Sequence, residues 1–441
     1  MAFDPRQLLA AFLTFSMFVM LGNMIKKDHF DSNETFGESW GRESRGEAEE
    51  AIPALAPVNA PAPPAVRFDV MKVSEKSVVS FPIGKGPWKG NGQELKRCWT
   101  NPVQKEAEQP QGFITFSLSN GPEYHILQVA NAVLIARYLG ATLIIPDIQG
   151  RTSGEKRSFQ EIYDIEKFVR SLEGVVNIAR EKPAEIASKK PAIVRVPSRV
   201  PEDYISEDIE PIFRVNDYLR VTTYFPSVNM KTMDTQKKTE GDSVACLAMF
   251  GSLEPQPEIR EVVDSMIERL RTLSRKPGSH FVAVDLRVEV LKRKRCMEGG
   301  GTGRKSCYNA EEVGEFLRKI GFDKDTTIYL TQSKWDESLD GLRSMFPKTY
   351  TKEDIIPAEK RHKFVGAELE RAIDFHVCSQ GDVFVPAVSG MFYANVAGRR
   401  IASGRNQILI PAAIPGPTAP ASDYLSSYVS KRSHMAYSCF C

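Results

Sequence analysis

Residues 281–295 read FVAVDLRVEVLKRKR, an apolar run that ends in alternating charge. The run 281–284 predicts a buried strand. Continued in extended form, the segment puts Asp285, Arg287 and Glu289 on one face and Leu286, Val288 and Val290 on the other, because side chains alternate every second residue. A guanidinium held between two carboxylates at the mouth of a strand is costly to bury without a partner. Arg287 therefore either pairs with Asp285 or Glu289 at a sheet edge, or offers its planar fork to a diphosphate.

The chain has 441 residues and a formal net charge of +2. Ordinary apolar and charged content over that length supports about two to three domains, at roughly 150 residues each. A charge so close to zero gives no ground for a nucleic-acid partner. The seven cysteines, at positions 98, 246, 296, 307, 378, 439 and 441, are too sparse for a disulfide scaffold and are not spaced as zinc-ligand pairs. Cys296 and Cys307 flank a glycine-rich loop, which they either close in an oxidising compartment or leave open as two free thiols.

The compartment is read from the N-terminus. Residues 7–25 carry no charge, and 8–25 are apolar enough to cross a bilayer as a helix of about 18 to 20 residues. No run of small residues marks a cleavage site, so 1–27 read as a cytoplasmic tip and uncleaved anchor. So short a span suits the thinner membranes of the early secretory pathway. The basic residues alone, Arg6 before the span and Lys26 and Lys27 after it, would leave the C-terminal side in the cytoplasm. We set that count aside because 28–97 is acidic and then rich in Ala and Pro (AIPALAPVNAPAPPAV), an unpacked stem holding a globular body off the membrane. Asn33-Glu34-Thr35 is a glycosylation acceptor pattern, which makes sense only on the lumenal side.

The folded body is expected from Cys98. A strand over 112–117, a turn at Ser119-Asn120-Gly121-Pro122, a helix over 123–139 stopped by Gly140 and a strand over 141–146 make the βαβ unit of a parallel sheet. The loop after the first strand lies at the carboxyl edge, where open sheets bind ligands. His125 is either a hydrogen-bonded structural residue or a contact for a substrate oxygen or phosphate at the positive helix end. Signals over 151–225 are mixed, with a strand expected at 193–197 and a solvated acidic surface at 202–210. Residues 244–250 read as the last strand of the first half. Residues 257–273 read as a helix with Ile259, Val262, Val263, Met266, Ile267 and Leu270 on one side.

The second half repeats the alternation, with helices over 309–320 and 339–346 and strands over 326–330 and 382–385. GGGTGRKS, residues 299–306, misses the nucleoside-triphosphate pattern because Arg304 stands at a glycine position, and it reads as a flexible loop. Asp323-Lys324-Asp325 matches the aspartate pair that holds a metal in many sugar transferases. It precedes its strand instead of closing one, so it reads as a polar turn and no metal is expected. In residues 378–405, CSQGDVFVPAVSGMFYANVAGRRIASGR, a strand carrying Asp382 ends at Pro386, Ser389-Gly390 turns tightly and a helix starts at Met391. Backbone N–H groups and the Ser389 hydroxyl make an anion site there, with Arg399, Arg400 and Arg405 nearby. The other reading is an ordinary strand-to-helix connection beside a solvated basic face.

LRVE with its cysteine-flanked loop, IYLTQSKWDE and LRSMFPKTYTKED after it, and DVFVPAVSGMFYANVAGRRIASGR together resemble the plant O-fucosyltransferase-like glycosyltransferases, glycosyltransferase family 106. FLTFSMFVMLGNMIKKDHFDS and the body from Gly112 onward are similar to the mannan-synthesis-related branch of that family. The resemblance covers the anchor and 98–415. It implies an α/β fold of two Rossmann-like domains of GT-B type facing each other across a cleft. An acceptor-side domain would occupy 98–275, a nucleotide-sugar domain 276–415 and a tail 416–441. Also implied are a GDP-sugar donor, inversion at the anomeric carbon, no metal or other cofactor, and a single-pass type II protein of the Golgi membrane with its body in the lumen.

Carried onto this chain, the resemblance implies that Arg287 binds the donor diphosphate and offsets charge on the leaving group. Asp382 would contact the donor nucleotide, and Ser389 with Gly390 would form the phosphate turn. The loop from Ser119 to His125, with Asn120 and Gly121, would face the cleft. Two departures stand out: Pro122 replaces the second glycine of a pair, and Asp285 stands where wider relatives carry histidine. Asp285, Glu289 and His125 are the candidates for the base that deprotonates an acceptor hydroxyl. Three functions follow: a transferase adding fucose or mannose to a mannan-type polysaccharide, a non-catalytic accessory of a mannan synthase, or a protein O-fucosyltransferase.

Overall fold

The structure, a computed structural model, describes residues 95–99, 111–150, 154–225, 240–274, 280–296, 307–364, 367–405, 407–412, 420–426 and 431–440. The expected membrane span, the stem up to residue 94 and the whole GGGTGRKS loop lie outside them. Among the described residues no helix is long and apolar enough to cross a membrane.

In the first half β1 (Phe113–Phe116), α1 (Pro122–Tyr138) and β2 (Thr142–Ile144) form the expected βαβ unit. With β3 (Ile178–Ala179), β4 (Ala192–Pro197) and β5 (Tyr218–Tyr224) they build a parallel sheet of order β3-β2-β1-β5-β4. The sequence reading has no counterpart for β5, yet β5 pairs with β1 at the centre of the sheet. α1 is buried around most of its circumference, since sheet and helices cover it from several sides. Its polar side chains are accordingly bonded: the Asn131 amide donates to the Pro197 carbonyl at 2.7 Å, and the Arg137 guanidinium donates to the Val175 carbonyl at 3.0 Å.

Residues 244–250, expected as a strand, lie inside α2 (Glu240–Gly251). An apolar run that short satisfies either period. What decides is that Val244, Met249 and the small Ala248 close onto α1, which is helical itself. α3 (Pro257–Ser274) is as expected, with the apolar stripe buried. The acidic side chains Glu202, Asp203, Glu207 and Asp208 are exposed on a helical turn whose Ile205 and Ile209 point inward.

The second half runs β6 (Phe281–Asp285), α4 (Val288–Arg293), α5 (Ala310–Lys319), β7 (Thr327–Leu330), β8 (Thr349–Tyr350), α6 (Ala367–Gln380), β9 (Val383–Pro386) and α7 (Met391–Ala402). Its parallel sheet has the order β8-β7-β6-β9. β6 is buried along its whole length, and the two faces of this sheet feed two core clusters. One of those clusters continues into the first half, so the halves share a core. Asp323-Lys324-Asp325 forms the expected turn, with the Thr326 amide donating to the Asp323 carbonyl at 3.0 Å.

Part of the stretch expected as a tail returns to the first half. Cys439 is disulfide-bonded to Cys246 of α2, and Arg97 bridges Phe440 in antiparallel fashion. The sulfurs of Cys296 and Cys307 also meet, in keeping with the first of the two arrangements expected for them. Cys378 is a buried free thiol.

Candidate active site at the switch point of the second sheet

In the order β8-β7-β6-β9 the chain leaves β6 on one side and comes back as β9 on the other. The crevice of such a sheet opens at the carboxyl ends of these two strands. Those ends are aligned, with Asp285 opposite Pro386 and the Ala387 amide donating to the Asp285 carbonyl at 3.1 Å.

The extended alternation expected over 285–290 does not hold. β6 stops at Asp285, and Arg287 is the N-cap of α4, its carbonyl accepting from the Val290 and Leu291 amides at 3.0 Å. Six residues of alternating character fit both a strand and a helical turn, and burial of Val288, Val290 and Leu291 selects the helix. Glu289 consequently points to solvent from the first turn of α4 and does not share a face with Asp285. Arg287 keeps an extended backbone, so its side chain lies over the strand ends.

Arg287 Nε lies 3.5 Å from Asp285 Oδ1, and the guanidinium stands 5.7 Å from the Phe392 ring of α7. A second guanidinium enters from α6. Arg371 Cζ is 3.8 Å from the same ring, its Nε donates to Glu123 Oε1 at 2.8 Å, and its Nη1 is 4.0 Å from Asp285 Oδ1. Glu123 belongs to the first turn of α1, so this pair ties the carboxyl edge of the first sheet to that of the second. The Glu123 carbonyl also accepts from the Asn395 amide of α7 at 2.7 Å. Arg287 Nε, Arg371 Nη1 and Glu123 Oε2 are buried without a hydrogen-bond partner. Unmatched polar atoms inside a protein are costly, and here they converge on one crevice.

Electrostatics separate the two arginines. Burial and the neighbouring Arg371 charge pull the Arg287 pKa down, with Asp285 opposing. Burial also pulls on Arg371, but Glu123 and Asp285 outweigh it and hold the group above its ordinary value. The scaffold beneath α6 is polar and closed. Asp374 accepts from Tyr329 at 2.6 Å and pairs with Lys352 at 2.9 Å, while Lys352 also reaches Glu370 at 3.2 Å. Burial pushes the Asp374 carboxyl up despite those partners. Asp285 is steadied by the Thr331 hydroxyl at 3.0 Å, and the Gln332 side chain caps the Val288 amide at 2.9 Å.

The expected phosphate turn sits at the same edge. Gly390 is the N-cap of α7 with φ 148°, and the Ser389 carbonyl accepts from Lys294 at 3.0 Å. Asn120 and Gly121 form the opposite lip, both with positive φ. A Cβ at Gly121 would stand 2.9 Å from Glu123 Oε2, so glycine keeps this carboxylate clear.

Two expected site residues lie elsewhere. Asp382 precedes β9 and sits at the amino edge of the sheet, about 13 Å of strand from Asp285 at 3.3 Å per residue. There it accepts from Arg271 at 2.9 Å and from the Phe281 amide at 3.1 Å, a staple for the start of β6. His125 is fully buried, with Nδ1 2.7 Å from the Tyr163 hydroxyl, and burial lowers its pKa to about 3. It is a neutral core residue, not a cleft contact. Arg399 and Arg400 are also internal, bonding the carbonyls of Leu253 and Gly381 at 2.6 and 2.7 Å. Glu123 and Arg371 were missed. Glu123 looks like an ordinary first-turn acid, and Arg371 lies in a helix that carries several other polar residues, so neither stands out in the sequence.

Two parallel α/β sheets meet at their carboxyl edges, with arginines at the junction. The chain belongs to the GDP-fucose protein O-fucosyltransferase family, whose profile matches residues 127–402. It is 48% identical to Protein MANNAN SYNTHESIS-RELATED 2 of Arabidopsis thaliana, covering 100% of both chains. It is 45% identical to Protein MANNAN SYNTHESIS-RELATED of Trigonella foenum-graecum, over 99% of each. The apo-form crystal structure of POFUT1 aligns with a TM-score of 0.40 and 13% identity, covering 70% of this chain and 100% of that one, a likeness too loose to bear on individual residues.

Proposed function

We propose that the chain transfers a sugar from a GDP-sugar to a mannan-type polysaccharide in the Golgi lumen. The observation that carries this reading is the partly buried Arg287 at the switch-point crevice, with its buried Nε unmatched. Family membership and the names of the two plant relatives supply the donor class and the polymer. The acceptor hydroxyl oxygen attacks the anomeric carbon, the carbon–oxygen bond to the diphosphate breaks, and configuration inverts in that single displacement. Arg287 offsets the charge gathering on the leaving diphosphate. Of the three candidate bases, Glu289 is turned to solvent and His125 is held against the Tyr163 hydroxyl away from the strand ends; Asp285, though buried itself, stands at the strand end beside Arg287 and takes the proton. Arginine takes the place of a metal here, so a chelator should leave transfer unchanged. The donor is GDP-fucose or GDP-mannose, which differ by pocket contacts worth only a few kcal/mol.

The 8–25 span and the following stem support a type II anchor with the body in the lumen. Digestion of the body by protease added to intact vesicles would overturn that orientation. The deciding experiment is calorimetry and thermal shift of the full-length chain with GDP, GDP-fucose and GDP-mannose. A ligand bound to the native state raises its melting temperature, and the rise should vanish in Arg287→Ala. One observation favours the accessory reading: the two guanidiniums are already faced by two carboxylates, so the site is internally compensated. A folded wild type that no GDP compound stabilises would select it.

A further inference from the structure

We infer that Arg371 is a second diphosphate-binding residue, held in position from the opposite half of the molecule by Glu123. The inference rests on the GDP-sugar reading above and extends it to a group outside the expected set.

Both guanidiniums lie against Phe392 and both come within 4.0 Å of Asp285 Oδ1, one from α4 and one from α6. Neither is spent by these contacts. Arg287 Nε and Arg371 Nη1 lack a hydrogen-bond partner although both are buried, and nine-tenths of the Arg371 side chain is out of water. Among the described residues the Arg371 side chain makes one hydrogen bond, from Nε to Glu123 Oε1, which fixes the plane of the fork and leaves Nη1 directed away from that bond. Two forks on different sides of one carboxylate present donors to two phosphate groups better than to one. Glu123 is thereby a positioning residue. It joins the lip that carries Gly121 to the donor crevice, so the cleft is assembled only when both halves hold Arg371 in register.

The readout is the ratio of GDP to GMP affinity, measured by calorimetry on the full-length chain. Arg371→Lys keeps the charge but loses the fork, and it should weaken GDP roughly ten- to hundredfold while changing GMP little. Glu123→Gln, which leaves the arginine but loosens its plane, should lower the ratio in the same direction. A ratio equal to wild type in Arg371→Lys, with Arg287→Ala abolishing it, would show Arg371 to be an ion pair between halves and nothing more. Should Arg371→Lys fail to fold, an unchanged ratio in Glu123→Gln overturns the inference on its own. A wild type that binds GDP no better than GMP sinks the donor reading itself, a different outcome from either variant result.

Discussion

The Nε of Arg371 in α6 lies 2.8 Å from Oε1 of Glu123 in α1, a buried ion pair that spans the two halves of the chain. Removing one member strands the other charge in a low-dielectric interior. Arg371→Leu should cost about 3 to 5 kcal/mol of stability, and Arg371→Leu combined with Glu123→Leu should cost less than the single change. Denaturant unfolding of the three proteins reads both outcomes.

Gly121 tests the lip of the cleft. Its φ of 108° suits glycine, and an added Cβ would press on Glu123 Oε2. Gly121→Ala should lose about 1 to 3 kcal/mol and weaken GDP binding through the displaced carboxylate. Loss of stability with GDP affinity retained would detach this lip from the donor site.

Asp285→Asn separates binding from chemistry. The amide keeps the size of the side chain and can still accept from Thr331, so GDP affinity should hold within about threefold while transfer falls by 100-fold or more, the usual scale of general-base loss. Equal loss of both would assign Asp285 to donor binding.

Asp382→Asn is the contrasting change. Because this carboxylate staples the amino edge of β6 to Arg271, its loss should lower the melting temperature slightly and leave GDP affinity within about twofold. A large fall in affinity would return Asp382 to the donor site.

Acid stability follows from three buried histidines. Burial lowers the pKa of His125 and His376 to about 3 and that of His434 to about 4, against 6.5 for a solvated ring. The folded state binds fewer protons than the unfolded one between those values. Stability is therefore fully present above about pH 6.5 and is lost as pH falls towards 3 to 4, at up to about 1.4 kcal/mol per unit for each ring. Melting temperatures from pH 7.5 to 4.5 should fall, and His434→Gln should flatten that slope.

The opening strand shows how far the residues could be read in isolation. Phe281–Asp285 was legible because a fully buried parallel strand is an apolar run, and α1, α3 and α7 were legible from their spacing and their glycine boundaries. The segment after Asp285 was not legible, since alternation over six residues has no unique period. β5 was lost within a stretch of mixed signals, although its alternating burial is that of a strand.

By itself the sequence determined the alternating α/β plan, the parallel second sheet and the presence of Arg287 at a strand end. These are local properties, set by periodicity and by the side chains a strand or helix can bury. Tertiary structure decided which charges meet. Glu123 and Arg371 are 248 residues apart and Asp285 and Thr331 are 46 apart, and no local pattern encodes either approach. The same folding moved Asp382 to the far edge of the sheet and sealed His125 in the core, because strand direction and layer packing, not residue type, fix which end of an element faces the cleft.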